Sequence, residues 1–569
     1  MVKKSSLIYS LDCAYFSMEI MLESEIPSYA GGLGVLAGDI LRSAADMEIP
    51  MVGVSLIYNG TSFSQEIEPD GSQKFEVNQW QKNDKLTHLP NRIELQIDNA
   101  PVQVGLWRYD IVGVSGFVVP VYLLDTDLLD NGHWARAITQ NLYEGEYRLP
   151  QEVLLGIGGV KMLRNLGYQE INTFQMNEGH ASFVTLALEE ELGYNDQEVK
   201  KKCVFVTHTP IPEGHDQFDY QFAWKIAGAY LPWHIKDLSG GNSLHMTRLG
   251  MSLSKYSIAV SKMHEETSRK LFPEYKINSI TNGVHHRTWI APEMQNLLDK
   301  FIPEWITHPE ALKGAIENLH DEQLWKAHEE TKFELIEYVN RNLTSIRTEK
   351  EQFDPPSLER FDNHTLTLAL ARRPVPYKRP LLLYHDVERL LRIGEGKLQI
   401  IQCGKAYPED WSSQGFVHEI LEVSKKFRGR LKVVYLENYS PKIARLLVGG
   451  VDVWVNTPRR PLEASGTSGM KAAMNGVLNL SVLDGWWIEG YKMDQMAGWP
   501  IASENSENDD EVDANSVYEL LESTIIPMYY TNRWEWIQRM KHAMSLGAYF
   551  NTHRVLQDYK KLAWNSVLK

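Results

Sequence analysis

The chain has 569 residues, 43% of them apolar and 23% charged, with a formal net charge of −16. That length exceeds what one hydrophobic core usually serves and the composition is that of a folded protein, so two large domains are expected. The acidic balance excludes a general nucleic-acid binder, because phosphate backbones are held by net basic surfaces.

Cys13, Cys203 and Cys403 form no CxxC pair, which argues against a disulfide framework and a structural zinc site. No His/Glu group shows the spacing of a metal-ligand triad, so no metal is expected. The N-terminus carries Lys3 and Lys4 but no long apolar run, and charges interrupt every later apolar stretch. A cytoplasmic protein without a membrane partner is the expectation.

In chain order, the first motif is SYAGGLGVLAGD (Ser28 to Asp39), whose Gly31, Gly32 and Gly34 precede an expected helix. Such a turn lets backbone approach a ligand closely, although its spacing is not that of a dinucleotide fingerprint. NEGHA follows, with His180 after Asn177 and Glu178. A strand is expected over Val204 to Thr209, placing His208 at its end. A long helical pattern begins near HPEALKG, and the boundary falls just before it, near Thr281 to Trp289. This divides the chain into residues 1–285 and 286–569, with the C-terminal helix crossing back.

Further strands are expected over Thr365 to Ala371, Leu398 to Gly404, Leu431 to Glu437 and Val451 to Thr457, most followed by helical periodicity. That alternation predicts an α/β protein of two doubly wound, nucleotide-fold-like domains. Ligands in such sheets bind beyond the carboxyl strand ends, so the active site is expected in the cleft between the domains. ARRPVPYKRP (Ala371 to Pro380) holds Arg372, Arg373, Lys378 and Arg379 at one such end. It reads as a compact anion receptor or as a solvated basic turn. EASGTSGMKAAMNG (Glu463 to Gly476) follows another strand and opens a helix, a natural anion site. Lys471 within it reads as a phosphate clamp, a surface charge, or an amine that condenses with a carbonyl. The acidic run Ser503 to Asp513 reads as a solvated loop.

Together these segments resemble the glycogen and α-glucan phosphorylase family, from about Tyr15 to FNTHR near the C-terminus. The resemblance implies a GT-B-like fold, pyridoxal phosphate on Lys471, and reversible phosphorolysis of α-1,4-glucan ends to α-glucose 1-phosphate. Catalytic roles are implied for Lys471, Arg373, Lys378 and His208. Cofactor contacts are implied for Thr467, Ser468, Tyr439, Arg372 and Gly32. Substrate contacts are implied for Gly31, Leu33, Asn282, Tyr377, Glu463, Ala464, Ser465 and Gly466. The partners implied are inorganic phosphate and glycogen, starch or maltodextrin, and the assembly a homodimer.

Val375, Gly469, Ser440, Arg459 and Arg460 depart from the long animal-type pattern and resemble a short bacterial-type member. Only ten residues (Met21 to Ala30) separate YFSMEI from GGLG, so no phosphoserine or nucleotide switch is expected there. Two rival readings are a nucleotide-sugar glucosyltransferase of the same layout and a non-catalytic glucan-binding scaffold.

Overall fold

The computed structural model describes residues 10–566 apart from 61–62, 69–70, 78–79, 81, 83–84, 343–359, 428 and 503–507. The N-terminal lysines and the first half of the acidic run therefore lie outside the described residues. The chain forms two compact units. One comprises Met1–Ser62, Val77–Thr281 and Thr552–Lys569, the other Phe63–Glu76 and Asn282–Asn551.

The first unit is built on strands Leu11–Ser17 (β1), Met51–Leu56 (β2), Thr87–Ile97 (β3), Ala100–Val112 (β4), Val118–Asp125 (β5), Ile171–Asn177 (β6), Cys203–Thr207 (β7), Tyr256–Ala259 (β8) and Ile277–Ser279 (β9). They form one sheet in the order β9-β8-β7-β6-β1-β2-β5-β4-β3. Neighbours from β9 to β5 are parallel, and β5, β4 and β3 pair antiparallel. Every residue of β2 and β7 is buried, which is why both are mostly apolar rather than alternating. The chain winds away from β1 in both directions, so the switch point lies between β1 and β6. Helix Gly32–Asp46 covers the sheet with Leu36, Ala37, Ile40, Leu41 and Ala44 buried. The C-terminal segment belongs to this unit: Thr552 bonds Ser43 at 2.5 Å, and the Trp564 indole donates to Gln175 at 2.8 Å.

The second unit is built on Leu366–Ala371 (β10), Leu398–Cys403 (β11), Lys432–Leu436 (β12), Val453–Asn456 (β13), Leu478–Val482 (β14) and Gly498–Ile501 (β15). All neighbours are parallel, in the order β12-β11-β10-β13-β14-β15. Four of these strands lie within two residues of the sequence expectation, and both units are doubly wound α/β folds as predicted. Here the switch point falls between β10 and β13. The long helix expected before β10 spans Asp321–Asn342.

One sequence expectation is corrected. Asp509 caps a helix over Asp510–Leu520, and Asp513 on its first turn is fully buried. The acidic residues there are not a solvated loop, because Arg379 and Arg460 pair with Asp513 at 2.6 and 3.2 Å. A run of carboxylates reads as solvated only until their cations, more than fifty residues away in sequence, are known.

Candidate active site

Polar side chains of the second unit gather where β10 and β13 diverge. The loop leaving β10 carries Arg372 to Arg379, and the one leaving β13 carries Thr457 to Gly466. Arg372 is pinned by Asn456, by the Thr457 hydroxyl at 2.9 Å and by the Lys378 carbonyl at 3.0 Å. Burial pushes its guanidinium down to about 10, while Glu463, 3.8 Å away, works the other way. The Lys378 ammonium donates to both Glu463 oxygens, at 2.7 and 2.5 Å. Burial opposes that charge, but Glu463 and Tyr377 outweigh it and raise Lys378 above the ordinary lysine value. The Tyr377 ring lies 4.9 Å from the ammonium.

Glu463 is itself held in place by its amide, which donates to Asp484 at 2.9 Å. Burial pushes the Asp484 carboxyl up to about 7. Arg372, Lys378 and Glu463 thus form one part-buried constellation, on which Tyr377 borders.

Arg373 is placed differently. Its half-exposed guanidinium pairs with Asp410 at 2.8 Å and lies over Tyr407. Arg379, the fourth cation of the loop, is structural: it is buried at a φ of +47° and donates to Asp513 and to the Thr457 and Pro458 carbonyls.

Gly466 turns the chain with a φ of +82° into helix Thr467–Met474, whose start no side chain caps. Ser468 accepts from the Trp454 indole at 3.2 Å. Lys471 is buried, and its ammonium lies 3.7 Å from the centre of the Trp289 ring. Asn475 couples the two, donating to the Lys471 and Trp289 carbonyls at 2.9 Å each. Lys471 stands in the last turn of this helix rather than at its start, and a lysine ordinarily carries its ammonium to water. This one is held over an aromatic face instead, so the surface-charge reading fails. Ser465 is buried, its carbonyl accepting from the Trp486 amide at 2.8 Å, and Ala464 is half-buried. Asn282 is buried, in a segment pinned where Val284 pairs with Asn551. Tyr439 is half-buried before Ser440, which caps the next helix.

The first unit brings together different groups at its own switch point. His208 bonds Asn177 at 2.6 Å through Nε2, and its amide donates to Glu178 at 2.7 Å. Burial pushes the His208 ring down to about 4, so it is neutral at pH 7. Glu178 also accepts from Thr209 and Gly179. Despite burial, His215, His208 and His180 hold its carboxyl below the usual range. The Ala30 and Gly31 amides donate to Glu19 at 2.7 and 2.9 Å, which sets the turn leading through Gly32 and Leu33. A Cβ on Gly31 or Gly32 would meet nothing within 4 Å, so this turn presents bare backbone.

A family model for carbohydrate phosphorylases matches residues 230–498, which include the basic loop and Lys471. A maltodextrin phosphorylase of Thermococcus litoralis is 38% identical over 96% of this chain and 69% of its own length. The chain belongs to the carbohydrate phosphorylase family. A glycogen phosphorylase of Aquifex aeolicus is 34% identical over 99% of this chain and 87% of its own. One of Mycobacterium tuberculosis is 32% identical over 96% and 70%. The protein is therefore an enzyme of the glycosyltransferase class, and no described helix is long and apolar enough to cross a membrane.

The structure accounts for four of the five departures from the long pattern. A Cβ at Gly469 would lie 2.5 Å from Asn479 Oδ1 and 2.9 Å from the Trp486 indole nitrogen, so no side chain fits. Ser440 accepts from the Ile443 amide as a helix cap. Arg459 and Arg460 pair with Asp510 and Asp513. Nothing in the structure explains Val375. Sequence reasoning missed Trp289, Asp410 and Asp484, which lie outside the motifs they support, and Asn475, which lies within the Glu463 to Gly476 segment but carries no signal of its role. Asn177 and Glu178 stood in a segment it had noted.

Proposed function

We propose that the protein is an α-1,4-glucan phosphorylase, releasing α-glucose 1-phosphate reversibly from glucan ends, with pyridoxal phosphate on Lys471. The observation that carries this reading is the buried Lys471 amine, beside an uncapped helix start in a unit that also holds Arg372 and Lys378. These residues fit the cofactor. Lys471 supplies a desolvated amine, the amides and hydroxyls of Thr467 and Ser468 supply donors for a phosphate, and Arg372 supplies fixed charge.

The chemistry supplied by pyridoxal phosphate when bound is proton exchange between its phosphate and inorganic phosphate. The chain's own task is then electrostatic. Two anions about 5 Å apart repel by about 3 kcal/mol per pair of unit charges at an effective dielectric near 20. Arg372, Lys378 and Arg373 offset that repulsion with donors already oriented before substrate arrives. Glu463, Ala464, Ser465 and Gly466 line the sugar, as does Asn282. His208, neutral and oriented by Asn177, hydrogen-bonds a glucosyl hydroxyl without adding charge. Asp410 keeps Arg373 extended until phosphate competes for it.

The maltodextrin and glycogen named for the relatives mark the substrate class. Incubation with maltodextrin and inorganic phosphate should yield α-glucose 1-phosphate and no free glucose. Release of free glucose, or glucan synthesis that requires a nucleotide sugar, contradicts the assignment.

A further inference from the structure

Away from both switch points, three metal-ligating side chains converge in the first unit. Glu189 lies near the end of helix Phe183–Glu191, Asp196 opens helix Asp196–Lys202, and His234 immediately precedes helix Ile235–Ser239. One ligand atom from each lies within 4.8 Å of the other two. His234 Nε2 is 3.2 Å from Asp196 Oδ1. That matches the roughly 3.4 Å edge of a tetrahedron with bonds of about 2.1 Å.

A second observation is independent of this spacing. Glu189 is 0% exposed, yet neither of its carboxylate oxygens has a hydrogen-bond partner among the described residues. Two cations of helix Gly159–Asn165 serve its neighbours instead: Lys161 pairs with Glu190 and Arg164 with Glu191. A buried carboxylate without a partner is costly unless a proton or a cation compensates it. Burial pushes Glu189 up to about 7, reinforced by Asp196 and opposed by His234.

We propose that Glu189, Asp196 and His234 bind one divalent transition-metal ion of the zinc class, linking the three segments that carry them. Asp196 is 37% exposed and His234 10%, so solvent reaches the Asp196 side and completes the coordination. One imidazole nitrogen with two carboxylates suits zinc, whereas magnesium and calcium favour all-oxygen sets. The ion supplies the positive charge that Glu189 lacks. No ligand pair is wider than 4.8 Å, so closing to a tetrahedral edge takes at most about 1.4 Å, within reach of the side-chain torsions of Glu189.

The test uses the full chain, stripped with chelator and titrated with Zn²⁺, reading bound zinc by mass spectrometry after gel filtration and the zinc-dependent rise in Tm. Wild type should hold one zinc per chain and melt higher with it. Glu189→Gln and His234→Ala should bind at least tenfold more weakly and lose the rise. Should either variant fail to melt cooperatively, the partly exposed Asp196→Asn takes its place with the same expected loss. Zinc absent from wild type, or retained within twofold by any folded variant, overturns the proposal. A proton shared between Glu189 and Asp196 then compensates the buried charge. An equal Tm rise with Mg²⁺ overturns the zinc class.

Discussion

At the carboxyl ends of its central strands the second unit gathers cations, whereas the first gathers bare backbone, a neutral imidazole and a carboxylate already satisfied by its neighbours. Arg372 and Lys378 are half-buried charges held by one carboxylate, Glu463. His208 is half-buried and uncharged, and the Glu178 beside it accepts from the His208 and Gly179 amides and the Thr209 hydroxyl. The same topological device therefore serves two chemistries. A cluster of cations suits phosphates, and uncharged hydrogen-bonding groups such as the His208 ring suit a sugar, whose hydroxyls gain little from net charge.

The contrast breaks most sharply at Lys471. Lys471→Ala should lower phosphorolysis by about 10⁴-fold or more, since the amine is the proposed covalent anchor of the cofactor. More than a hundredth of wild-type activity in a folded variant would remove the second unit's distinguishing role.

Lys378→Ala should cost about 3 kcal/mol of transition-state stabilisation, roughly a hundredfold in kcat/KM for phosphate. Arg373→Ala should cost less, about tenfold, because that guanidinium starts in a half-exposed pair with Asp410. Equal losses in steady-state assays would show that exposure at rest does not rank these cations. Losses confined to glucan KM would move the basic loop to the sugar side.

Arg379→Ala should separate architecture from chemistry. It leaves buried Asp513 short of a partner, so stability should fall by about 3 kcal/mol while turnover per folded molecule stays within about threefold. Denaturant unfolding with active-site titration reads both, and lost turnover at wild-type stability would place Arg379 among the substrate contacts.

His208→Asn should lower activity by about tenfold, the worth of one neutral hydrogen bond, and by the same factor from pH 5.5 to 8. The folded pKa of His208, about 4, lies below the ordinary value of 6.5. Its neutral form therefore stabilises the fold above about pH 6.5, and that contribution is lost as pH falls towards 4. A penalty that changes tenfold across pH 5.5 to 8 would show that the ring titrates in the working range.

Much of the second unit was legible in the sequence because its strands are buried on both faces and its motifs are local. Strand β10 runs straight into Arg372 and Lys378, and β13 into Glu463, so motif and strand end read together. Long-range pairing was not legible. Nothing in EASGTSGMK announces that Trp289 lies against Lys471, or that Asn475 ties their carbonyls together. Arg373 and Lys378 looked equivalent in one basic loop, and only their partners, Asp410 and Glu463, separate them. The acidic run misled for the same reason, since the arginines that bury Asp513 follow other strands.

The measurement that bears most directly on the cationic switch point is borohydride reduction of the purified protein followed by peptide mass mapping. A single pyridoxyl phosphate adduct on the peptide containing Lys471, with loss of the visible absorbance, is the expected result. No adduct, or an adduct on any other lysine, would contradict the account.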